Sequence, residues 1–255
     1  MKVADIDSYR KVKKSKNNYK IPNPVIYIFL VAVGLYFFIH SPFFTIENIN
    51  VTGNYLLDTE KILNLSQVNK GQNLIKIDKK EIIKRISVHP FVKEVEIKRG
   101  LPDTLKINVI ERKPVGLLVC PDGFIQVSKE GVFLALIHDI GEYNLPVISG
   151  IDLEQLPGPG QVIKNDELSL ALGIISESFQ ELLNDIVEIN IENKGHILAY
   201  TLDGIEIRLG SLENISEKLY DLNHILEDFN TKGLDDSNIE YIDLRFSGPP
   251  VIKRK

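Results

Sequence analysis

Residues 25–39 form fifteen consecutive uncharged positions, Val-Ile-Tyr-Ile-Phe-Leu-Val-Ala-Val-Gly-Leu-Tyr-Phe-Phe-Ile. A run this apolar has no polar stripe to turn toward water, so it constrains the fold more than any other segment. Fifteen residues of helix span about 22 Å, short of the roughly 30 Å hydrocarbon core of a bilayer. Counting from Ile21 gives about 28 Å, and Phe43 and Phe44 extend the apolar surface past His40. Pro22 and Pro24 suit a helix start, where a missing N–H costs little. Tyr19, Tyr27, Tyr36 and the Phe pairs suit the aromatic belts of a membrane interface. The expectation is a single transmembrane helix over 25–40, with Val25, Leu30, Leu35 and Ile39 among its anchor residues. A cleaved signal peptide needs a small-x-small site. The candidates around His40-Ser41-Pro42 are flanked by bulky Phe.

Charge orients the anchor. Residues 1–40 hold seven bases (Lys2, Arg10, Lys11, Lys13, Lys14, Lys16, Lys20) against Asp5 and Asp7, while the rest of the chain is acidic and the whole carries −5. Positive-inside places this basic head in the cytoplasm and residues 41–255 outside, a type II arrangement. The head then has a plain role, orienting the anchor and touching anionic lipid. A basic head on an acidic body argues against nucleic-acid binding. Apolar residues at 44% and charged ones at 25% are those of an ordinary globular protein. One Cys excludes an internal disulfide, and five dispersed His give a metal site no local support.

Two units follow the anchor. In the first, over 43–112, residues 45–51 read as a strand closed by a turn at Thr52-Gly53-Asn54. Asp58 or Thr59 caps a short helix, and Asp78 with Glu81 resembles a capping box for a second, carrying Ile82, Ile83 and Ile86. Strands over 92–98 and 105–110 complete a β-α-α-β-β order. Its expected core is Ile49, Val51, Ile82, Ile83, Ile86, Leu105 and Ile107.

In the second unit, over 114–246, short strands read at 115–119, 124–128 and 132–136, and 145–150 and 156–160 read as loops. One helix is expected after Asn165, with Leu168, Leu172, Ile175, Phe179 and Leu182 on one face. Strands at 186–191, 197–202 and 205–209 follow, the last two joined at Asp203-Gly204, a hairpin signal. Ser211 is expected to cap a helix whose stripe, Leu212, Ile215, Leu219, Leu222, Leu226 and Phe229, lies on its own sheet. Gly233 suits its C-terminal cap. Residues 239–246 read as the final strand, and 247–255 as a short flexible tail.

These residues carry a resemblance. The run Lys98-Arg-Gly-Leu-Pro-Asp-Thr-Leu-Lys-Ile-Asn-Val-Ile-Glu-Arg-Lys-Pro-Val115 and the segment Tyr241-Ile-Asp-Leu-Arg-Phe246 resemble the FtsQ/DivIB family of bacterial cell-division proteins. Asp122-Gly123, Glu130-Gly131, Leu145-Pro-Val-Ile-Ser-Gly150 and Thr201-Leu-Asp-Gly204 follow the family order. The resemblance implies an α+β architecture: a cytoplasmic head over 1–24, the membrane helix, a polypeptide-transport-associated (POTRA) domain over 43–112, and a β domain over 114–246 with two helices on a mostly antiparallel sheet. It implies a non-catalytic scaffold at the division septum that helps assemble and control septal peptidoglycan synthesis. It also implies FtsL-like and FtsB/DivIC-like single-pass coiled-coil partners, with the septal peptidoglycan synthase complex reached indirectly. The head is short and no long tail follows the last strand, in contrast to some members.

No cofactor is expected. Cys120 lies at a strand end without a His near it in sequence, and reads as a buried or incidental thiol. Asp235-Asp236 reads as a solvated turn, and Glu111-Arg112 as an ion pair at the domain joint. The alternative function, a membrane-anchored cell-wall enzyme or wall-binding module, calls for a convergent polar cleft with a nucleophile or metal ligands. The partner surface is expected on the last strand, at Ile239, Tyr241, Asp243, Arg245, Phe246 and Ser247. A terminal strand at a sheet edge can accept a partner strand. Ile242 and Leu244 would face the core while Tyr241, Asp243 and Arg245 face away.

Overall fold

The computed structural model describes residues 24–141, 144–153, 156–193, 195–232, 239–246 and 248–255. The basic head, Gly233, Asp235-Asp236 and Ser247 lie outside the described residues. Helix α1 (Pro24–Ile39) takes up the apolar run and buries none of its side chains. Val25, Leu30 and Leu35 are all exposed, and Ile39 is half-buried where the helix meets the next domain. Its 16 residues amount to about 24 Å of helix. Among the described residues no helix is long and apolar enough to cross a membrane. The longer span expected from Ile21 draws on residues outside the described ones.

A short 3-10 turn (Pro42–Phe44) leads into the first domain. Its elements are β1 (Asn48–Thr52), α2 (Thr59–Ser66), α3 (Lys79–Ile86), β2 (Val92–Gly100) and β3 (Thr104–Glu111). Strand β3 is central, parallel to β1 and antiparallel to β2. Period-2 alternation explains its place: Leu105, Ile107 and Val109 are buried, with Lys106 and Ile110 facing out. Ile62, Ile82 and Ile86 from the two helices cover that face in one core cluster. Asp78 caps α3 by accepting from the Lys80 and Glu81 amides. Of the expected core, Ile49, Val51 and Ile83 are half-buried at its rim. Gly53 turns the chain out of β1 at φ 82°, and a Cβ there would lie 2.1 Å from the Val109 carbonyl oxygen.

The second domain holds β4 (Pro114–Cys120), β5 (Gly123–Ser128), β6 (Phe133–Ile137), β7 (Val147–Ser149), α4 (Asp166–Glu177), α5 (Gln180–Asp185), β8 (Ile186–Asn193), β9 (His196–Thr201), β10 (Glu206–Gly210), α6 (Ile215–Lys232), β11 (Ile239–Asp243) and β12 (Val251–Arg254). They make one nine-stranded sheet in the order β12-β11-β10-β9-β8-β7-β4-β5-β6. Five of its pairings are antiparallel (β4–β5, β5–β6, β8–β9, β9–β10, β11–β12), and three are parallel (β4–β7, β7–β8, β10–β11). The stripe of α6 enters the same core as the sheet interior, with Leu219, Leu222, Leu226 and Phe229 buried.

Four features differ from the sequence reading. Residues 147–149, read as loop, form β7 and join the two halves of the sheet. Pro146 and Gly150 leave only three residues between them, too few for a period to register. The single helix after Asn165 is two, because Ser178 is extended at ψ 145° and its hydroxyl donates back to the Ile174 carbonyl. Phe179 therefore leaves the buried face and is exposed. Helix α6 begins at Ile215, beyond Asn214 at φ 53°, so Ser211 lies upstream of the helix it was expected to cap. The tail expected to be loose contains β12.

Candidate partner-binding edge

The edge that closes the sheet is β12, and β11 lies inside it. Strand β11 pairs parallel with β10 on one side and antiparallel with β12 on the other, matching Tyr241 to Lys253 and Ile242 to Ile252. The expected free edge at 239–246 is therefore covered by the chain's own end. Every residue of β12 is exposed, and its far side meets no strand among the described residues. The opposite edge, β6, is covered at its start. Phe133 N donates to the Gln161 carbonyl, Gly160 N donates to the Phe133 carbonyl, and Val132 bridges Val162.

The expected site residues divide by depth. Ile239 is buried in the core beside Ile242 and Leu244. Asp243 is only 8% exposed. Arg245 holds it through Nε and Nη2, at 2.9 and 2.6 Å, and donates its backbone N–H as well. These bonds keep the Asp243 carboxyl below its ordinary range, chiefly through the guanidinium. Gly210 permits this arrangement: at φ 69°, a Cβ there would lie 2.9 Å from Arg245 Cγ. Phe246 is 72% exposed at the exit from β11.

Tyr241 is half-buried on the sheet face away from the helices. Arg208 lies 3.7 Å above its ring and the Lys253 ammonium 5.4 Å from it. Register aligns Tyr200, Glu206, Tyr241 and Lys253 across four strands. Beside Phe246, a cleft of about 120 Å³ is lined by Glu213, Glu217, Asp221, Lys218 and Arg245. Lys218 donates to the Leu209 and Ser211 carbonyls, and burial lowers its ammonium pKa. Sequence reasoning missed Arg208 and β12. The one signal for β12 was the pair Val251-Ile252 following Pro249-Pro250.

The domain joint also differs from expectation. Glu111 and Arg112 serve separate partners. The Glu111 carboxylate accepts three backbone N–H groups, from Tyr55, Leu56 and Leu57, at 2.7–2.9 Å. Arg112 donates to the Pro90 and Val92 carbonyls. Cys120 is half-buried and packs against the core of the second domain.

Residues 44–112 match the family described as "POTRA domain, FtsQ-type", and residues 120–245 match "Cell division protein FtsQ/DivIB, C-terminal". The chain belongs to the FtsQ/DivIB family. Among curated relatives, it is 27% identical over 248 residues to cell division protein DivIB of Clostridium botulinum strain Hall, covering 96% of this chain and 95% of that protein. It is 27% identical over 218 residues to cell division protein FtsQ of Syntrophotalea carbinolica, covering 84% of this chain and 75% of that one. In FtsQ/DivIB terms, the first domain is the FtsQ-type POTRA domain. The nine-stranded sheet with its helices carries the FtsQ/DivIB C-terminal match, which ends at Arg245, just short of β12.

Proposed function

We propose that this chain is a membrane-anchored, non-catalytic scaffold of the division-site complex, which receives a β-strand from a single-pass partner along the open edge of β12. The observation that carries the reading is the contrast between the two sheet edges: β6 is covered at its start, and β12 is exposed along its length. An added strand would gain affinity from main-chain bonds, and alternate side chains would read its sequence. Arg208 and Tyr241 supply residue types that dominate interface energetics, and the Phe246 ring is exposed at the exit from β11. The partner class is the FtsL-like or FtsB/DivIC-like coiled-coil protein, and through it the septal peptidoglycan synthase complex.

The anchor is α1, with the N-terminus cytoplasmic and both domains outside, concentrated at the division septum. What supports this is an uncharged helix with no buried side chain, behind a head of seven bases. Confinement to one plane raises the effective concentration of similarly anchored partners, so a modest interface suffices.

The test is photocrosslinking in living cells from residue 252 on β12 and, as the control edge, from residue 136 on β6. Capture of the DivIC-like or FtsL-like protein from 252 alone is expected. Equal capture from both edges, or capture from 136 only, would sink the assignment. Topology is checked separately with a C-terminal reporter active only outside the cytoplasm.

A further inference from the structure

We infer that the membrane-proximal end of the POTRA domain is a seat for anionic phospholipid headgroups, built from Phe43, Leu101, Lys70 and Lys76. The inference rests on the reading of α1 as a membrane anchor.

No slack linker separates α1 from the domain. Asn73 Nδ2 donates to the Ile39 carbonyl in the last turn of α1 at 2.8 Å. Leu74 N donates to the Phe44 carbonyl at 2.7 Å, and Ile46 and the 71–72 segment exchange two more backbone bonds. The Phe38 ring, still on α1, packs edge-on against Phe44 at 5.2 Å and stacks with Phe43 at 6.3 Å. The 70–77 segment is itself tied to β2, because Arg99 donates to the carbonyls of Leu74, Ile75 and Ile77. Glu47 N donates to the Asp103 carbonyl, which brings the β2–β3 turn to the same end of the domain. Helix and domain base are therefore joined directly by hydrogen bonds and ring contacts.

The end of the apolar run sets the height of that base. The uncharged run closes at Ile39, and His40-Ser41 follow it directly. The last turn of α1 therefore marks the outer limit of the hydrocarbon core. The base bonded to that turn lies beside the headgroups.

The side chains at the base suit that layer. Phe43 is 59% and Leu101 63% exposed. Lys70 and Lys76 are exposed on either side of the Asn73 contact. Glu47 is the one exposed carboxylate between the 3-10 turn and β1. Aromatic and aliphatic side chains enter the interface while lysines reach anionic phosphates. The far end of the domain, at Tyr55 beyond β1, would stand in water.

The chain contains no Trp, so single replacements act as clean reporters in the full-length protein. The protein is reconstituted into vesicles of equimolar phosphatidylglycerol and phosphatidylethanolamine. Leu30→Trp is read with lipids brominated on the acyl chain. Phe43→Trp, Leu101→Trp and Tyr55→Trp are read with lipids spin-labelled on the headgroup. Quenching at residues 30, 43 and 101, with none at 55, is the expected pattern. Quenching at 30 with the signals at 43 and 101 no stronger than at 55 would overturn the headgroup seat while leaving the anchor standing. Absence of quenching at 30 would overturn the anchor reading, and the seat with it. Adding Lys70→Glu and Lys76→Glu to the Leu101 reporter is expected to weaken its headgroup quenching in phosphatidylglycerol vesicles but not in phosphatidylcholine vesicles. An equal signal before and after the change in both lipids would overturn the role of the two lysines.

Discussion

Arg245 combines two roles that the period-2 pattern of its strand does not reveal. Its guanidinium half-emerges at the surface, yet it is the partner of the nearly buried Asp243 carboxylate. A partner-binding test that reverses the charge at 245 would place two carboxylates together and damage the fold, confusing the result. Phe246→Ala is the cleaner probe of binding, since that ring is exposed. Arg245→Ala is expected to cost about 1–3 kcal/mol in urea unfolding, because it strips a nearly buried carboxylate of its guanidinium donors and leaves it only the backbone N–H. Asp243→Ala with Arg245→Ala should cost less than the two single changes summed, since they share one interaction. Strict additivity would show that the pair is not coupled. Glu111 shows the same limit at residue scale. Beside Arg112 it reads as half of an ion pair, while the fold uses it to bind three amides of a loop more than fifty residues away.

Helix α3 tests the core at the scale of an element. Its Ile82, Ile83 and Ile86 share a helical face, but only Ile82 and Ile86 are buried. Ile86→Ala is expected to cost roughly 2–5 kcal/mol, the range for a fully buried aliphatic residue. Ile83→Ala, at the rim, should cost clearly less in the same denaturation series. Equal losses would contradict the packing of α3 on the sheet. The exit from β1 is similarly specific. Gly53→Ala meets both a positive φ and the Val109 carbonyl, and should destabilise by more than about 1 kcal/mol. Melting of the variant by circular dichroism checks this, and an unchanged midpoint would refute the tight turn.

At the scale of the whole molecule, one exposed ion pair reaches from domain to domain. Lys93 on β2 of the POTRA domain reaches Glu130, in the β5–β6 turn of the second domain, at 2.6 Å. With a further bond from Ser128, that contact pulls the Glu130 carboxyl from its ordinary 4.5 down to about 2. A carboxyl depressed in the folded state stabilises above its unfolded value. That contribution is lost as pH falls from about 4.5 toward 2. Carboxyl-carbon NMR should show Glu130 titrating near the bottom of that range, with Lys93→Ala moving its midpoint back up. A midpoint that Lys93→Ala leaves in place would refute the contact. The free edge is also a property of the whole sheet. Removing residues 249–255 should leave a cooperative melt, because Ile239 and Ile242 of β11 and the following Leu244 share a buried core with the stripe of α6. It should also abolish capture of the coiled-coil partner. Retained capture would move the docking surface away from β12.

The linear sequence was enough where structure follows from local period and composition. The bare apolar helix, the β-α-α-β-β order, the alternation of β3 and the α6 stripe are all short-range patterns. Each buries or bares side chains spaced two or three to four apart. The family followed from motif order over most of the chain. What the sequence did not contain is which strands are neighbours. β7 is three residues long and exists as a strand because β4 and β8 flank it. β12 carries no buried side chain, so no hydrophobic period announces it, and only its hydrogen bonds to β11 make it a strand. The free edge of the sheet lies at 251–254 and not at 239–246 for that reason: an edge is defined by the backbone groups that remain unpaired once the sheet has assembled.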